Sequence, residues 1–305
     1  MTDRTVVLGG TGYVGSAVAA AFAGNTRSGQ VVAVGRRARP AGGPVRSVSR
    51  DLSVPGTAAD LVTGAGVVVH LVAPSDPTTS WRSGGDGAEL RLLTEVLDAA
   101  RGTAPDAAPP VVLVASTIPP SGASADERSD HERRKQALED ILLSAAQDGQ
   151  VRTAALRLST VYGWGAGGAG RGLVASLARR ALRGEPLTVW RGAEVQRNLI
   201  HVDDVATAFV RAAAQAESGG AVWSVGGVDQ LTVGEIAHLV ADHAAAVTGR
   251  LVPVESVPPP SWAVPADFRD VLVDPVPFGR ATGWRPAVPL DRGVGDLVTH
   301  VRTAA

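Results

Sequence analysis

The sequence predicts an α/β protein: a doubly wound parallel sheet with helices on both faces, and a smaller lobe drawn mainly from the C-terminal part of the chain. Three observations point there. Short runs of Val, Leu and Ala alternate with longer stretches of helical periodicity through the first half. A glycine triplet, Gly9, Gly12 and Gly15, follows the first of those runs. Beyond Tyr162 the alternation gives way to Gly- and Pro-rich connections.

The opening stretch "RTVVLGGTGYVGSAVAAAFA" predicts a strand, a tight turn and a helix of small residues. The glycine spacing lets the backbone turn sharply, approach a pyrophosphate and pack the helix on the sheet. Gly9, Thr11, Gly12, Tyr13, Val14 and Gly15 are therefore candidate cofactor contacts, with the phosphate at the helix N-terminus. The second strand, "QVVAVGRRA", ends where an acidic residue would accept the ribose 2′-hydroxyl of NAD. Gly35, Arg36 and Arg37 stand there instead, leaving room and charge for a 2′-phosphate, so the expected cofactor is NADP. Strands are expected next at "PVRSVSRDL", "GVVVHLVAP", "PPVVLVAST" and "VRTAALRLSTVYG", with helices such as "GAELRLLTEVLDAAR" between most of them. Asp51 and Leu52, after the third strand, are candidates for the adenine, and Leu71, Val72 and Ala73, after the fourth, for the cofactor groove.

Composition narrows the function. In 305 residues, 29 basic groups nearly balance 30 acidic ones, so no broad cationic surface invites nucleic acid or an anionic membrane. Absent cysteine excludes disulfides, thiol nucleophiles and cysteine-held metals. No apolar run reaches the roughly 20 residues of a membrane span, and the N-terminus lacks a signal-like core, so a cytoplasmic location is expected. Arginine is abundant, in the manner of a GC-rich genome, yet the chain contains one lysine, Lys135, in "SDHERRKQALED". Lysine is a compact donor whose pKa can move, and arginine stays charged. The histidines show no spacing that suggests a metal site, and none is expected.

These segments resemble the extended short-chain dehydrogenase/reductase family of nucleotide-sugar epimerases, dehydratases and reductases. The marks are "GGTGYVG", "HLVAP", "VASTIPP", the lysine-bearing helix with Glu139, "LRLSTVYG", "QRNLIHVDDVATAF" and "TGWRPAVPLDRGV", in the family's order over nearly the whole length. Within it, "RRALRGEPLTVWRG", "SVPPPSW" and "DFRDVLVDPVPF" resemble the actinobacterial 4-ketoreductases of dTDP-4-keto-6-deoxyhexoses. The resemblance implies a Rossmann-type domain at 1–162, with 198–228 returning to it, and a substrate-binding lobe at 163–197 and 229–305. It also implies a homodimer built from the two helices flanking the site, and adds Ala115, Leu158 and Val161 to the cofactor groove.

The family's catalytic set is a Tyr and a Lys spaced YxxxK, with a Ser or Thr at the end of the fifth strand. Thr117 matches the hydroxyl position and Lys135 the lysine, implied to hold the nicotinamide ribose. His131 occupies the tyrosine position, and neither tyrosine of the chain, Tyr13 or Tyr162, precedes a lysine by four residues. Beside Lys135 the imidazole is expected to be neutral near pH 7 and to keep one N–H for the ketone oxygen. Three roles stay open for His131: a working acid or polarising donor, a spectator to a proton from Thr117, water or Asp130, or a member of a site that no longer reduces. The first of these roles predicts a pH–rate profile displaced to the acid side of a tyrosine enzyme's, and a flat profile from pH 5 to 8 counts against it.

For a dTDP-sugar, the resemblance puts Arg197 at the pyrophosphate, next to Asn198 where the family usually has Asp. Trp190 is a candidate for the base, and Ser80, Trp81 and Arg82 for the hexose. "GWGAGGAGRG" is expected to be a mobile loop and "SVPPPSWAVP" a stiff surface connection. The expected activity is NADPH-dependent reduction of the C4 keto group. A 4-epimerase, a 4,6-dehydratase or a non-catalytic NADP-binding descendant are the alternatives.

Overall fold

Valine dominates the inner strands, where its branched side chain suits a sheet buried on both faces. The computed structural model describes residues 4–25, 29–38, 44–73, 87–101, 108–122, 124, 127–165, 168–170, 172–191, 194–216 and 220–304. Its first half runs β1 (Thr5–Leu8), α1 (Tyr13–Gly24), β2 (Val31–Gly35), β3 (Val45–Ser49), α2 (Ala59–Val62), β4 (Val67–His70), α3 (Ala88–Arg101), β5 (Val111–Thr117), α4 (Asp130–Ala146) and β6 (Arg152–Leu158). Then come β7 (Thr160–Tyr162), β8 (Trp164–Gly165), β9 (Gly168–Ala169), α5 (Leu173–Leu182), β10 (Leu187–Trp190), β11 (Gln196–His201), α6 (Val202–Gln215), β12 (Ala221–Val225), β13 (Gln230–Thr232), α7 (Val233–Thr248), β14 (Val254–Val257), α8 (Val276–Thr282) and α9 (Leu290–Thr303).

Among the described residues, seven parallel strands form the main sheet in the order β12-β6-β5-β4-β1-β2-β3. The chain winds outward from β1 to β3, then returns to β4 on β1's other side, so the order reverses between β1 and β4. A crevice opens at such a reversal, beyond the strands' carboxyl ends. One face is packed by α1 and α6 through Val18, Phe22 and Phe209, the other by α3 and α4 through Leu92, Leu93, Leu138 and Leu142. A separate core joins α5, α7 and α9 through Leu177, Ile236 and Leu297. No helix among the described residues is long and apolar enough to cross a membrane.

Two elements differ from expectation. "VRTAALRLSTVYG" is two strands: the Ser159 N–H donates to the Val225 carbonyl at 3.1 Å, and β7 leaves the main sheet to pair in parallel with β11. The glycine-rich stretch after Tyr162 is likewise structured in part, since β8 and β9 pair antiparallel with Gly168 at φ +91°.

Candidate active site

The crevice begins at the glycine turn. Gly9 has φ +81°, and a Cβ there would lie 2.8 Å from the Leu71 carbonyl oxygen, so β1 and β4 approach this closely only through glycine. A Cβ on Gly15 would stand 2.1 Å from the Gly9 oxygen. Gly12 caps α1 without a side-chain acceptor, which leaves first-turn N–H groups for an anion. Thr11 fits against β2 because residue 35 is glycine: a Cβ would meet its Oγ1 at 1.9 Å. Arg36 and Arg37 follow at once, both exposed. Asp51 is exposed too, and its Oδ1 accepts from the Ser53 N–H and hydroxyl at 3.0 and 2.7 Å, which hold its carboxyl below the usual range. Leu52 is buried, Leu71 and Val72 are half-buried and Ala73 is exposed.

Helix α4 delivers the central side chains. Its start is fixed by a capping box: the Glu132 N–H donates to Ser129 Oγ at 3.2 Å, and the Glu132 carboxylate accepts from the Ser129 N–H at 2.6 Å. That register sets His131 and Lys135 one turn apart on the same face. At the far end of the turn, Glu139 accepts from Ser116 Oγ at 2.5 Å and takes both arms of Arg157 at 2.8 and 2.6 Å, tying α4 to β5 and β6.

Lys135 is 8% exposed, and its ammonium donates to Glu89 Oε1 at 2.5 Å and to the Ala115 carbonyl at 3.0 Å. An ammonium carries three donors, so one remains for a ligand. Glu89, 4% exposed on α3, gives its other oxygen to Arg134 Nε at 3.0 Å. Arg134 in turn lies 3.3 Å from His131 Nδ1 through its Nη2. Thr117 ends β5 two residues past Ala115, half-buried. Lys135, one helical turn from His131 and beside Thr117 in the same cavity, is thus held from behind by a carboxylate and a strand carbonyl.

Electrostatics follow from this burial. Burial, then the cations of Lys135 and Arg134, push His131 down to about 4, so its imidazole is neutral at pH 7. This places its titration further to the acid side than its sequence neighbours suggest and corrects the expected pH criterion: with the ring neutral throughout pH 5 to 8, a flat profile there excludes an imidazolium acid but not a hydrogen-bond donor. His70, 2% exposed at the end of β4, is also pushed down to about 4, chiefly by burial, and its Nε2 has no partner among the described residues. Burial, the largest single influence, raises Glu89, but the attraction and hydrogen bond of Lys135 together with His70 and Arg134 hold the carboxyl below its ordinary value. Neither tyrosine substitutes as an acid. Tyr13 donates to the Gly163 carbonyl at 3.0 Å, and burial pushes both its phenol and that of Tyr162 upward.

The substrate candidates divide. Arg197 spends its guanidinium on the carbonyls of Gln196 at 2.9 Å, Arg269 at 2.8 Å and Asp267 at 3.0 Å, which orients it within the 267–269 segment. Asn198 does not pair with it: its side chain bonds Gly227 and Asp229, stapling β11 to the turn before β13. Trp190 meets Trp262 edge to face at 5.1 Å, with Phe268 at 6.3 Å, so the Pro-rich connection supplies an aromatic wall. His201 caps α6, accepting from the Asp203 N–H at 3.2 Å. Ala115 contributes its carbonyl to Lys135, and Leu158 and Val161 are half-buried at the β6–β7 break. Ser80, Trp81 and Arg82 lie outside the described residues.

Sequence reasoning missed Glu89, Arg134, Trp262 and Phe268. Glu89 left a trace, an acid on the apolar stripe of Leu92, Leu93 and Val96 in α3.

A glycine turn heading a doubly wound sheet, with a buried lysine on α4 and a hydroxyl at the end of β5, defines a dinucleotide-binding α/β protein. Residues 5–226 match the model of the NAD dependent epimerase/dehydratase family, and the chain belongs to that family. The dTDP-L-rhamnose 4-epimerase of Burkholderia thailandensis is 26% identical over 174 residues, which are 55% of this chain and 44% of that protein. MoeE5 in complex with UDP-glucuronic acid and NAD superposes with a TM-score of 0.78 at 26% identity, over 99% of this chain and 100% of that one. The UDP-glucose 4-epimerase of Thermotoga maritima shares the fold, with a TM-score of 0.80, 21% identity and 99% coverage of both chains.

Proposed function

We propose that this protein uses NADPH to reduce the C4 keto group of a dTDP-4-keto-6-deoxyhexose. The observation that carries the proposal is the state of His131: a neutral imidazole, pushed down to about 4, at the position where a tyrosine would act. Such a ring is a poor base but still a hydrogen-bond donor. Epimerisation and dehydration begin by taking a proton from a hydroxyl, which a group this acidic does badly. Reduction asks only for donors to an oxygen that is gaining charge, and His131 and Thr117 can both provide one.

The residues present suit the cofactor. The glycine turn and the open start of α1 suit the pyrophosphate, and Arg36 and Arg37 suit a 2′-phosphate where NAD binding would require an acid. The third proton of Lys135 is available for a ribose hydroxyl. Bound there, the nicotinamide supplies the hydride. Thr117 and His131 would orient the C4 carbonyl by hydrogen bonds and steady the developing alkoxide, which takes its proton from solvent because a neutral imidazole keeps its N–H near pH 7. Arg197, oriented by its carbonyl partners, faces the sugar pyrophosphate with what donors remain, and the Trp190–Trp262–Phe268 wall takes the thymine. Helices α3 and α4 would pair with a second copy.

The relative from Burkholderia favours a second reading, 4-epimerisation of a dTDP-hexose with retained NAD. Ile118 and Pro119, following Thr117, leave no Asp-Glu pair for a dehydratase. Assays of NADPH oxidation with freshly generated dTDP-4-keto-6-deoxyglucose, beside dTDP-L-rhamnose with NAD, separate the alternatives. Stoichiometric NADPH consumption with a reduced dTDP-sugar supports reduction. Interconversion of C4 epimers without net cofactor use establishes the epimerase, and NADPH binding with neither turnover leaves a non-catalytic protein.

A further inference from the structure

The imidazole of His131 has one ring proton and two nitrogens to carry it. In water the two tautomers of a histidine differ little in free energy, so a neighbour at one nitrogen decides the balance. Here the neighbour at Nδ1 is the Arg134 guanidinium, 3.3 Å away, which can only donate. Nδ1 must therefore accept, and the proton resides on Nε2. Arg134 is itself aimed: Glu89 Oε2 holds its Nε at 3.0 Å while Oε1 holds Lys135 at 2.5 Å, and all three side chains are at least nine-tenths buried. One carboxylate thus sets both the lysine and, through an arginine, the histidine.

We propose that Arg134 and Glu89 are positioning residues that lock His131 as the Nε2–H tautomer, so that its single proton is presented on the nitrogen remote from Arg134. The proposal deepens the assignment of His131 as the donor in ketone reduction and rests on it for its catalytic meaning. The charge layout agrees, since Glu89 faces Lys135, Arg134 and the neutral His70.

The test is a long-range 15N–1H correlation spectrum of 15N-histidine-labelled protein at pH 7, without substrate or cofactor. The His131 signals are identified by their loss in His131→Gln. Expected in the wild type is an unprotonated shift at Nδ1 and a protonated one at Nε2. Arg134→Met should move both nitrogens toward intermediate values, and Glu89→Gln should do so in part. Arg134→Lys, which keeps a cationic donor, should restore most of the wild-type pattern. With turnover in hand, kcat should fall in Arg134→Met at unchanged KM and recover in Arg134→Lys. A wild-type Nδ1–H, or an unchanged spectrum in whichever of Arg134→Met and Glu89→Gln folds, overturns the proposal. Failure to reduce any dTDP-keto-sugar would refute the functional assignment, while the tautomer of His131 would still be read from the spectrum.

Discussion

Replacing Glu89 by glutamine strips two buried cations of the carboxylate they share. The carboxylate is 3% exposed, the Lys135 side chain 10% and that of Arg134 5%, so water can do little to replace it. Breaking a buried ion pair from one side costs about 3–5 kcal/mol. Glutamine keeps one carbonyl oxygen, and a hydrogen bond to a charged group is worth about 1.5–3 kcal/mol, so the expected loss is at the lower end, about 3 kcal/mol. Urea unfolding followed by tryptophan fluorescence measures it. The sign with pH is an internal check. Glu89 has a native pKa below its unfolded one, so its contribution is complete above about pH 4.3 and is lost as the pH falls through the native value. Wild type and Glu89→Gln should therefore converge in acid. Adding Lys135→Met should cost less than its effect in the wild type, because the surviving charges are then better matched. A loss below about 1 kcal/mol at pH 7, or no convergence in acid, refutes the claim that this carboxylate organises the site.

Further outcomes follow from single features. His70→Leu should lessen acid sensitivity, leaving the share of His131: the buried His70 ring sits near 4, an unfolded histidine near 6.5, and so its part of the loss between those pH values is about 3 kcal/mol, visible as a shallower fall of the melting temperature. An unchanged acid slope would show that His70 is not the source. The kcat of ketone reduction should be level from pH 5 to 8, with the His131 breakpoint near pH 4, whereas a breakpoint between 6 and 7 would mean the ring is not held neutral by its surroundings. Gly15→Ala pushes a methyl to 2.1 Å from the Gly9 oxygen and should weaken NADPH binding by about 1–3 kcal/mol, roughly 5- to 150-fold by fluorescence titration. Trp262→Ala removes the edge-to-face partner of Trp190 and should raise KM for the dTDP-sugar roughly 2- to 12-fold with kcat unchanged; an unaltered KM places the base elsewhere.

The order of strands and helices was legible because Val-rich runs and glycine turns are local signals, readable without knowing their neighbours. The break at Ser159 was not. Residues on both sides of it favour strand, and what ends β6 is a carbonyl at Val225 and a partner strand at 196–201. At the site, Lys135 announced itself as the sole lysine, and His131 by its spacing from it. The residues that control them did not, because Glu89 precedes its two cations by 45 and 46 positions and only the packing of α3 on α4 joins them. Arg197 shows the same limit: its carbonyl partners Asp267 and Arg269 come some seventy residues later.

Because Lys135 lies under Glu89, the folded protein presents guanidinium groups where most proteins present side-chain amines. Reagents that acylate primary amines then have one internal target, and they reach it only when the clamp opens. The rate at which Lys135 is acylated is a clock for that opening, and anything that steadies the clamp should slow it.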